Sequence, residues 1–173
     1  MTVLAIDPST KNTGWAVYKD KKLIAYNCIN AGSANLFNRI HKMESELEKI
    51  VQEYEVTHIV LEDVTLEDVY NNMKIFKVLT YLQGYILDML DRNKKDKITF
   101  YFPSEWRAKC GIKTGPGIKR DSLKPKDIAF VLNQFGKKVN DDIADAICIG
   151  FAFVGGEIKS PQTIIDDTGF EFG

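Results

Sequence analysis

Residues 2–18 read TVLAIDPSTKNTGWAVY, two apolar runs separated by a polar segment. The apolar run from Val3 to Ile6 ends abruptly on Asp7, and a turn-forming segment leads to Gly14 and a second apolar run. Runs rich in Val, Leu and Ile that are bounded by Pro, Ser, Asn and Gly are typical of strands joined by a polar loop. A carboxylate at the end of a buried strand is costly unless it is neutralised or faces solvent. Asp7 therefore marks an edge of the sheet where other functional groups are expected.

The composition predicts one soluble globular domain, because 173 residues with 45% hydrophobic and 27% charged residues are enough for a substantial core. No stretch approaches the roughly 18 uninterrupted apolar residues of a membrane span. The first residues enter a predicted strand directly, without a signal-peptide pattern. Three scattered cysteines without metal-ligand spacing (Cys28, Cys110 and Cys148) indicate inert thiols in a reducing cytoplasm.

The rest of the chain alternates between helical and strand patterns. Two runs on either side of a turn at residues 19–22 predict a hairpin, so that the chain begins with three antiparallel strands. Helical spacing covers residues 36–54, 73–90, 124–135 and 140–154. Short apolar runs between helices cover residues 58–64 and 98–102. This order predicts an α/β fold, with a mixed five-stranded sheet and helices on both faces.

Three acidic positions interrupt apolar runs. Asp7 ends the first strand, Glu62 ends the fourth, and Asp145 lies inside the apolar segment of the last helix. Asp142 and Asp141 precede Asp145 by three and four residues, so helical spacing alone does not decide which of them is its partner. Each acid also has an ordinary explanation, as a strand end, a turn former or a favourable charge at a helix N-terminus.

Together these acids indicate a metal site. If the strands and the last helix converge, like charges about 4 Å apart repel by about 4 kcal/mol at an effective dielectric constant near 20, so protons or cations are required. Oxygen ligands without nearby His or Cys suit Mg²⁺ or Mn²⁺. Two such ions about 4 Å apart would activate a water and stabilise the leaving oxygen of a phosphodiester.

A basic cluster lies between residues 107 and 126, in a chain whose formal net charge is only −1. Such a cluster marks either a polyanion-binding face or a solvated lysine-rich loop. The Gly and Pro residues between positions 110 and 122 predict a mobile loop. The basic residues are Arg107, Lys109, Lys113, Lys119, Arg120, Lys124 and Lys126.

Four segments stand in the order and context of one known family. They are AIDPSTKNTGW (5–15), VLEDV (60–64), PSEWR (103–107) and DIADA (142–146). With the Gly/Lys loop that follows the third segment, they resemble the RuvC family of Holliday-junction resolvases, within the RNase H-like superfamily and particularly its phage-encoded members. The likeness covers about residues 1–154, which predicts a nuclease domain there and a separate, loosely held tail at 155–173.

The resemblance implies a structure-selective endodeoxyribonuclease that resolves Holliday junctions by metal-dependent, symmetric phosphodiester hydrolysis. It implies two Mg²⁺ or Mn²⁺ ions per site, four-way or branched DNA as partner, a homodimer, and neither a membrane nor a small-molecule cofactor. The expected location is the cytoplasm, which would be the host cytoplasm if the protein is phage-encoded. The metal-binding catalytic acids implied are Asp7, Glu62, Asp142 and Asp145, since the family's Asp-x-x-Asp pattern favours Asp142 over Asp141. The seven basic residues named above become contacts to the DNA backbone.

One departure from the family leaves its substrate range open. Some cellular members place an aromatic residue three positions after the strand-four acid, where this chain has Thr65. Whether Tyr70 replaces it stays open. Strict junction selectivity, sequence preference at the cut, and action on other branched DNA therefore stay open.

Three other classes share some of these features. The first is an ATP-binding actin-like or sugar-kinase fold, but Pro8 stands where that hairpin usually has Gly, and the chain is short for two lobes. The second is a non-catalytic DNA-binding relative, against which the retained acids argue. The third is a generic RNase H, against which the basic Gly-Pro loop and the apolar last helix argue.

Overall fold

The computed structural model of the protein describes residues 1–9, 11–32, 35–64, 73–92 and 97–159. They form a five-stranded mixed sheet, which confirms the predicted α/β architecture. The spatial order is β3-β2-β1-β4-β5, with β1–β2 and β2–β3 antiparallel and with β1–β4 and β4–β5 parallel. The strands are β1 (Thr2–Asp7), β2 (Asn12–Lys19), β3 (Lys22–Asn30), β4 (His58–Glu62) and β5 (Ile98–Tyr101).

Five α-helices occur within the described residues, and all but the short one at residues 103–109 lie at the positions that the helical spacing predicts. They are α1 (Leu36–Glu53), α2 (Met73–Arg92), α3 (Pro103–Lys109), α4 (Lys124–Phe135) and α5 (Asp141–Val154). A single 3-10 turn covers Arg120–Ser122. Among the described residues, no helix is both long and apolar enough to cross a membrane.

The sheet separates two hydrophobic cores. On one face, Leu4, Ile6 and Val17 pack with the buried sides of α1 and α2. On the other face, Val3 and Ala5 pack with α3, α4 and α5. Because successive strand residues point to opposite faces, the continuously apolar β1 serves both cores. Helices therefore cover both faces, as expected.

Helix α5 lies directly on the central strands. The side chain of Asn140 accepts a hydrogen bond from the Ile143 N–H at 3.0 Å and so fixes where the helix begins. Further along, the buried Tyr18 hydroxyl donates to the Ile147 carbonyl oxygen at 2.8 Å. A Cβ at Gly150 would lie 2.4 Å from the Tyr18 ring, so only glycine allows this approach. These contacts fix the position of α5 relative to β1 and β2.

The start of the loop and the described start of the tail both contact the rest of the domain. Cys110 and Ile112, at the start of the predicted mobile loop, are buried in the core. After α5, Gln134 donates to the Glu157 carbonyl at 2.7 Å and accepts from the Lys159 N–H at 2.8 Å. The described beginning of the tail is therefore hydrogen-bonded to α4. Cys110 and Cys148 are free and buried, and Cys28 is free and half-buried.

Candidate active site

Two of the predicted acids follow neighbouring parallel strands. Ile6 of β1 pairs with Leu61 of β4, so Asp7 and Glu62 are the next residues along each strand at the same edge of the sheet. Glu62 is only 8% exposed, and Asp7 is half-buried. Parallel strands bring such residues together because their carboxyl ends meet at one edge.

Gly14 brings the start of α5 against this edge. It pairs with Asp7 across the β1–β2 ladder. A Cβ at Gly14 would lie 1.9 Å from the Asp142 carbonyl oxygen and 3.2 Å from the Ile143 nitrogen. The backbone of the first helical turn therefore rests directly on a strand position that has no side chain. This contact determines how closely the acids of α5 approach Asp7.

Asp145 is buried among other charged groups, and its pKa is strongly shifted. It is 6% exposed, and burial raises its pKa to about 10, with Asp7 and Asp127 adding to the rise and Arg107 opposing it. The Glu62 charge raises it further. Its Oδ1 atom is buried and has no hydrogen-bond partner in the described part of the chain. Such an oxygen is costly unless a proton or a cation satisfies it.

The surroundings of Asp141 and Asp142 differ, which helps to separate their roles. Lys124 forms an ion pair with Asp141, and its hydrogen bond lowers the pKa of the Asp141 carboxyl. Burial raises the pKa of Asp142, and the neighbouring Asp141 charge adds to this. Burial raises the pKa of Cys28, and the charges of Asp142, Asp7 and Asp141 all add to the rise, so the three acids lie near one another. What distinguishes Asp141 is its ion pair with Lys124.

Glu62 is held by two side chains from flanking helices. The fully buried Trp106 of α3 donates its indole N–H to Glu62 Oε2 at 3.0 Å. Gln83 of α2 donates to the Glu62 carbonyl oxygen at 3.4 Å. Because the buried Trp106 ring holds its single N–H donor in one position, this bond helps to orient the Glu62 carboxylate.

Arg107 lies in the interior, so the prediction that it contacts the DNA backbone is wrong. The residue is 3% exposed, and its guanidinium donates to both carboxylate oxygens of Asp127, with distances of 2.8–3.2 Å. Its Nη2 atom also lies 3.6 Å from Asp145 Oδ2. The physical reason is that a buried carboxylate compensates the burial of the guanidinium. Arg107 therefore places a buried positive charge beside the carboxylate of Asp145.

Most of the other predicted basic residues lie on the surface. Lys124 is half-buried and paired with Asp141. The Arg120 backbone belongs to the 3-10 turn, and its side chain lies outside the described part. Thr65 and Tyr70 also lie outside the described residues. The exposed lysines of the cluster are Lys109, Lys113, Lys119 and Lys126.

Three residues that shape this site are not among the predicted ones: Gly14, Trp106 and Asp127. Asp127 has a visible signal, because it shares the buried face of α4 with Val131 and Gln134 at helical spacing. An acid on an apolar face requires a buried partner. The roles of Gly14 and Trp106 depend on contacts between segments distant in sequence, which spacing does not reveal.

The donor set fits a hard divalent cation. It consists of carboxylate oxygens, and Asp145 Oδ1 is buried without a hydrogen-bond partner among the described residues. Within the same part of the chain, no group of three or more His, Cys, Asp or Glu side chains is arranged closely enough to hold one ion. The backbone thus gathers the acids at one edge, and their assignment as ligands stays a prediction.

Comparison with known proteins identifies the family. The model of the family described as "Crossover junction endodeoxyribonuclease RuvC" matches residues 3–153. The chain belongs to the RuvC family. Crossover junction endodeoxyribonucleases RuvC from Ehrlichia ruminantium (strain Gardel) and Rickettsia typhi (strain Wilmington) are each 31% identical to it, over 163 and 160 residues. These alignments cover 86% and 87% of this chain and 95% of each relative.

Solved structures show the same fold. The structure of T. thermophilus RuvC in complex with a Holliday junction substrate is similar with a TM-score of 0.72 at 14% identity, covering 90% of this chain and 93% of that one. A fowlpox virus resolvase in complex with Holliday junction DNA is similar with a TM-score of 0.52 at 18% identity, covering 89% and 97%. The expected RNase H-like fold and membership of a metal-dependent endonuclease family are confirmed.

Proposed function

We propose that this RuvC-family protein resolves four-way DNA junctions by symmetric, metal-dependent hydrolysis of two phosphodiesters. The observation that carries the proposal is the buried Asp145 carboxylate, which the charges of Asp7 and Glu62 face from two strand ends. Such a cluster suits a divalent cation, and the family acts on crossover junctions. Other branched DNA remains a second substrate class to be tested.

We propose Asp7, Glu62, Asp142 and Asp145 as the residues that hold two Mg²⁺ or Mn²⁺ ions. When bound, such ions supply an activated water and stabilise charge on the leaving oxygen. The chain's own residues hold the acids in place: β1 and β4 present Asp7 and Glu62, while α5 presents the two aspartates. Since Lys124 engages Asp141, Asp142 is the better candidate of the adjacent pair.

The DNA backbone is proposed to lie along the exposed lysines of the basic cluster. Lys109 and Lys113 lie at and beyond the end of α3, whereas Lys119 and Lys126 lie on either side of the 3-10 turn. Neutralising phosphates with lysine releases counterions, so junction affinity should fall with salt concentration. Arg107 is not included, because its guanidinium is buried.

A homodimer is proposed because symmetric cutting requires two sites related by a two-fold axis. The outer side of α2 offers a suitable apolar surface, on which Met73, Tyr81 and Leu87 are each 44–52% exposed. Beside it, a groove of about 480 Å³ between α1 and α2 is lined by Phe37 and Tyr85, among others. Leu87→Glu should yield a monomer by light scattering and abolish paired nicking. A wild-type protein that stays monomeric at assay concentration would contradict the dimer.

The division into a nuclease domain at 1–154 and a tail at 155–173 also stays a proposal. It is supported by the family match over residues 3–153 and by the end of α5 at Val154. We also propose that the protein works in the cytoplasm, because its three cysteines are free thiols.

The proposed function is tested by cleavage of a synthetic four-way junction with Mg²⁺ or Mn²⁺. Replication forks, flaps, linear duplex and RNA–DNA hybrid serve as control substrates, and Glu62→Gln as the inactive variant. Paired symmetric nicks on the junction that disappear in Glu62→Gln, with junction binding retained, would support resolution. Preferential cutting of the RNA–DNA hybrid would instead identify a generic RNase H.

A further inference from the structure

The guanidinium of Arg107 lies between two carboxylates from different helices. Its Nε donates to Asp127 Oδ1 and Oδ2 at 3.2 and 3.1 Å, and its Nη2 donates to Asp127 Oδ2 at 2.8 Å. The same Nη2 atom is 3.6 Å from Asp145 Oδ2. All three residues are at least nine-tenths buried.

The two carboxylates are not held in the same way. Asp127 accepts hydrogen bonds from the Nε and Nη2 atoms of the guanidinium. Bonds from two nitrogens fix the orientation of the guanidinium as well as its distance from Asp127. A separation of 3.6 Å is within ion-pair range but too long for a hydrogen bond. Arg107 is therefore hydrogen-bonded to Asp127, whereas it lies within ion-pair distance of Asp145 without a hydrogen bond.

This asymmetry matters because a guanidinium and a divalent cation compete for the same oxygens. Arg107 and Asp127 together carry no net charge, so the pair compensates little of the negative charge that Asp145 carries when it is ionised. In addition, Asp145 Oδ1 has no hydrogen-bond partner within the described residues. If Asp127 did not hold it, Arg107 would be free to close on Asp145 and occupy the carboxylate.

We propose that Asp127 is a positioning residue of the nuclease site, which restrains Arg107 beside Asp145 and so keeps the Asp145 carboxylate available to a divalent cation. The inference rests on the proposed function, in which Asp145 is a metal ligand. Asp127 acts through Arg107 and does not itself touch the cation or the DNA.

Cation binding is measured directly with Tb³⁺, a hard ion whose luminescence is sensitised by a nearby indole. Trp106 provides that indole, since its Nε1 lies 3.0 Å from Glu62 Oε2. Asp127→Asn should weaken Tb³⁺ affinity by about 10–100-fold, the usual effect of removing an outer-shell partner. The exposed Asp121→Asn is the matched control for loss of one acid and should bind Tb³⁺ normally.

Two further variants separate positioning from charge. Arg107→Lys keeps the net charge but cannot form the two-point contact with Asp127, so it should also weaken Tb³⁺ binding. Adding Arg107→Met to Asp127→Asn removes the competing cation and should recover most of the wild-type affinity. Circular dichroism and thermal unfolding identify the variants that fold, and Arg107→Lys replaces Asp127→Asn if the latter does not.

The outcomes distinguish this inference from the metal site itself. If Asp145→Asn loses Tb³⁺ binding but folded Asp127→Asn and Arg107→Lys bind like wild type, the positioning role is wrong and the metal site stands. A double variant no better than Asp127→Asn would also overturn the role. Tb³⁺ binding that does not depend on Asp145 would overturn both.

Discussion

Substituting Gly14 by Ala should disable the enzyme without touching any acid. The added Cβ would lie 1.9 Å from the Asp142 carbonyl oxygen, whereas a carbon–oxygen contact normally needs about 3.3 Å. The neighbouring atoms belong to the backbone, so no rotation of a side chain relieves the overlap. The start of α5 must therefore move away from β2 by about 1.4 Å, the difference between the two distances.

That shift separates the aspartates of α5 from Asp7, which pairs with Gly14 across the sheet. A misplacement of about 1 Å in an active site can cost about 100-fold in rate, equivalent to about 2.7 kcal/mol of activation free energy. Overpacking should also lower the free energy of unfolding by about 1–3 kcal/mol. Junction binding without metal should change little, because the exposed lysines lie elsewhere.

Single-turnover cleavage of a four-way junction across a Mg²⁺ titration measures the effect, below the unfolding temperature of the variant. Cys28→Ala is the matched control, since Cys28 pairs with Gly14 in the next strand and the change removes atoms rather than adding them. The control should cleave normally. Cleavage by Gly14→Ala within about threefold of wild type, well short of the 100-fold expected for a 1 Å error, would refute the role of this contact.

Other changes test separate parts of the site. Trp106→Phe removes the indole donor to Glu62 and should lower the single-turnover cleavage rate by about 10–100-fold, with junction affinity retained. Asp142→Asn should abolish cleavage in the same assay, whereas Asp141→Asn should leave most of it, because Asp141 is engaged by a lysine. The pKa of Asp145 in the folded protein, about 10, exceeds its ordinary value of 3.8. Between these two pH values the native state binds more protons than the unfolded state, so the free energy of unfolding of the metal-free protein falls as pH rises. Urea unfolding should show this fall, at most about 1.4 kcal/mol per pH unit, and Asp145→Asn should flatten it.

The sequence was sufficient for the fold and for the three acids that interrupt apolar runs. Period-two and helical spacings set the order of elements, and strands that end on Asp7 and Glu62 had to share an edge once they paired in parallel. Asp145 was recognisable because it is the one charged residue of α5 after the first turn. Each of these features depends on residues that are close together in the sequence, so the sequence pattern predicts it.

The supporting contacts were less predictable, since they join segments that are distant along the chain. Arg107 resembled the other members of a basic loop, and only its packing against Asp127, 20 residues away, shows that it is buried. The importance of Gly14 depends on the approach of a helix more than 120 residues later. Charge clustering in a sequence therefore did not separate a buried cation from the exposed lysines around it.

The central claim is that Asp7 and the acids gathered beside it hold the cations that cleave a junction. The most direct measurement compares wild type and Asp7→Asn for paired nicking of a four-way junction in Mg²⁺ and in EDTA, alongside junction binding. Wild type should make symmetric nicks only in Mg²⁺, Asp7→Asn should make none, and both proteins should bind the junction equally. Cleavage by wild type in EDTA, or by Asp7→Asn at the wild-type rate, would contradict it.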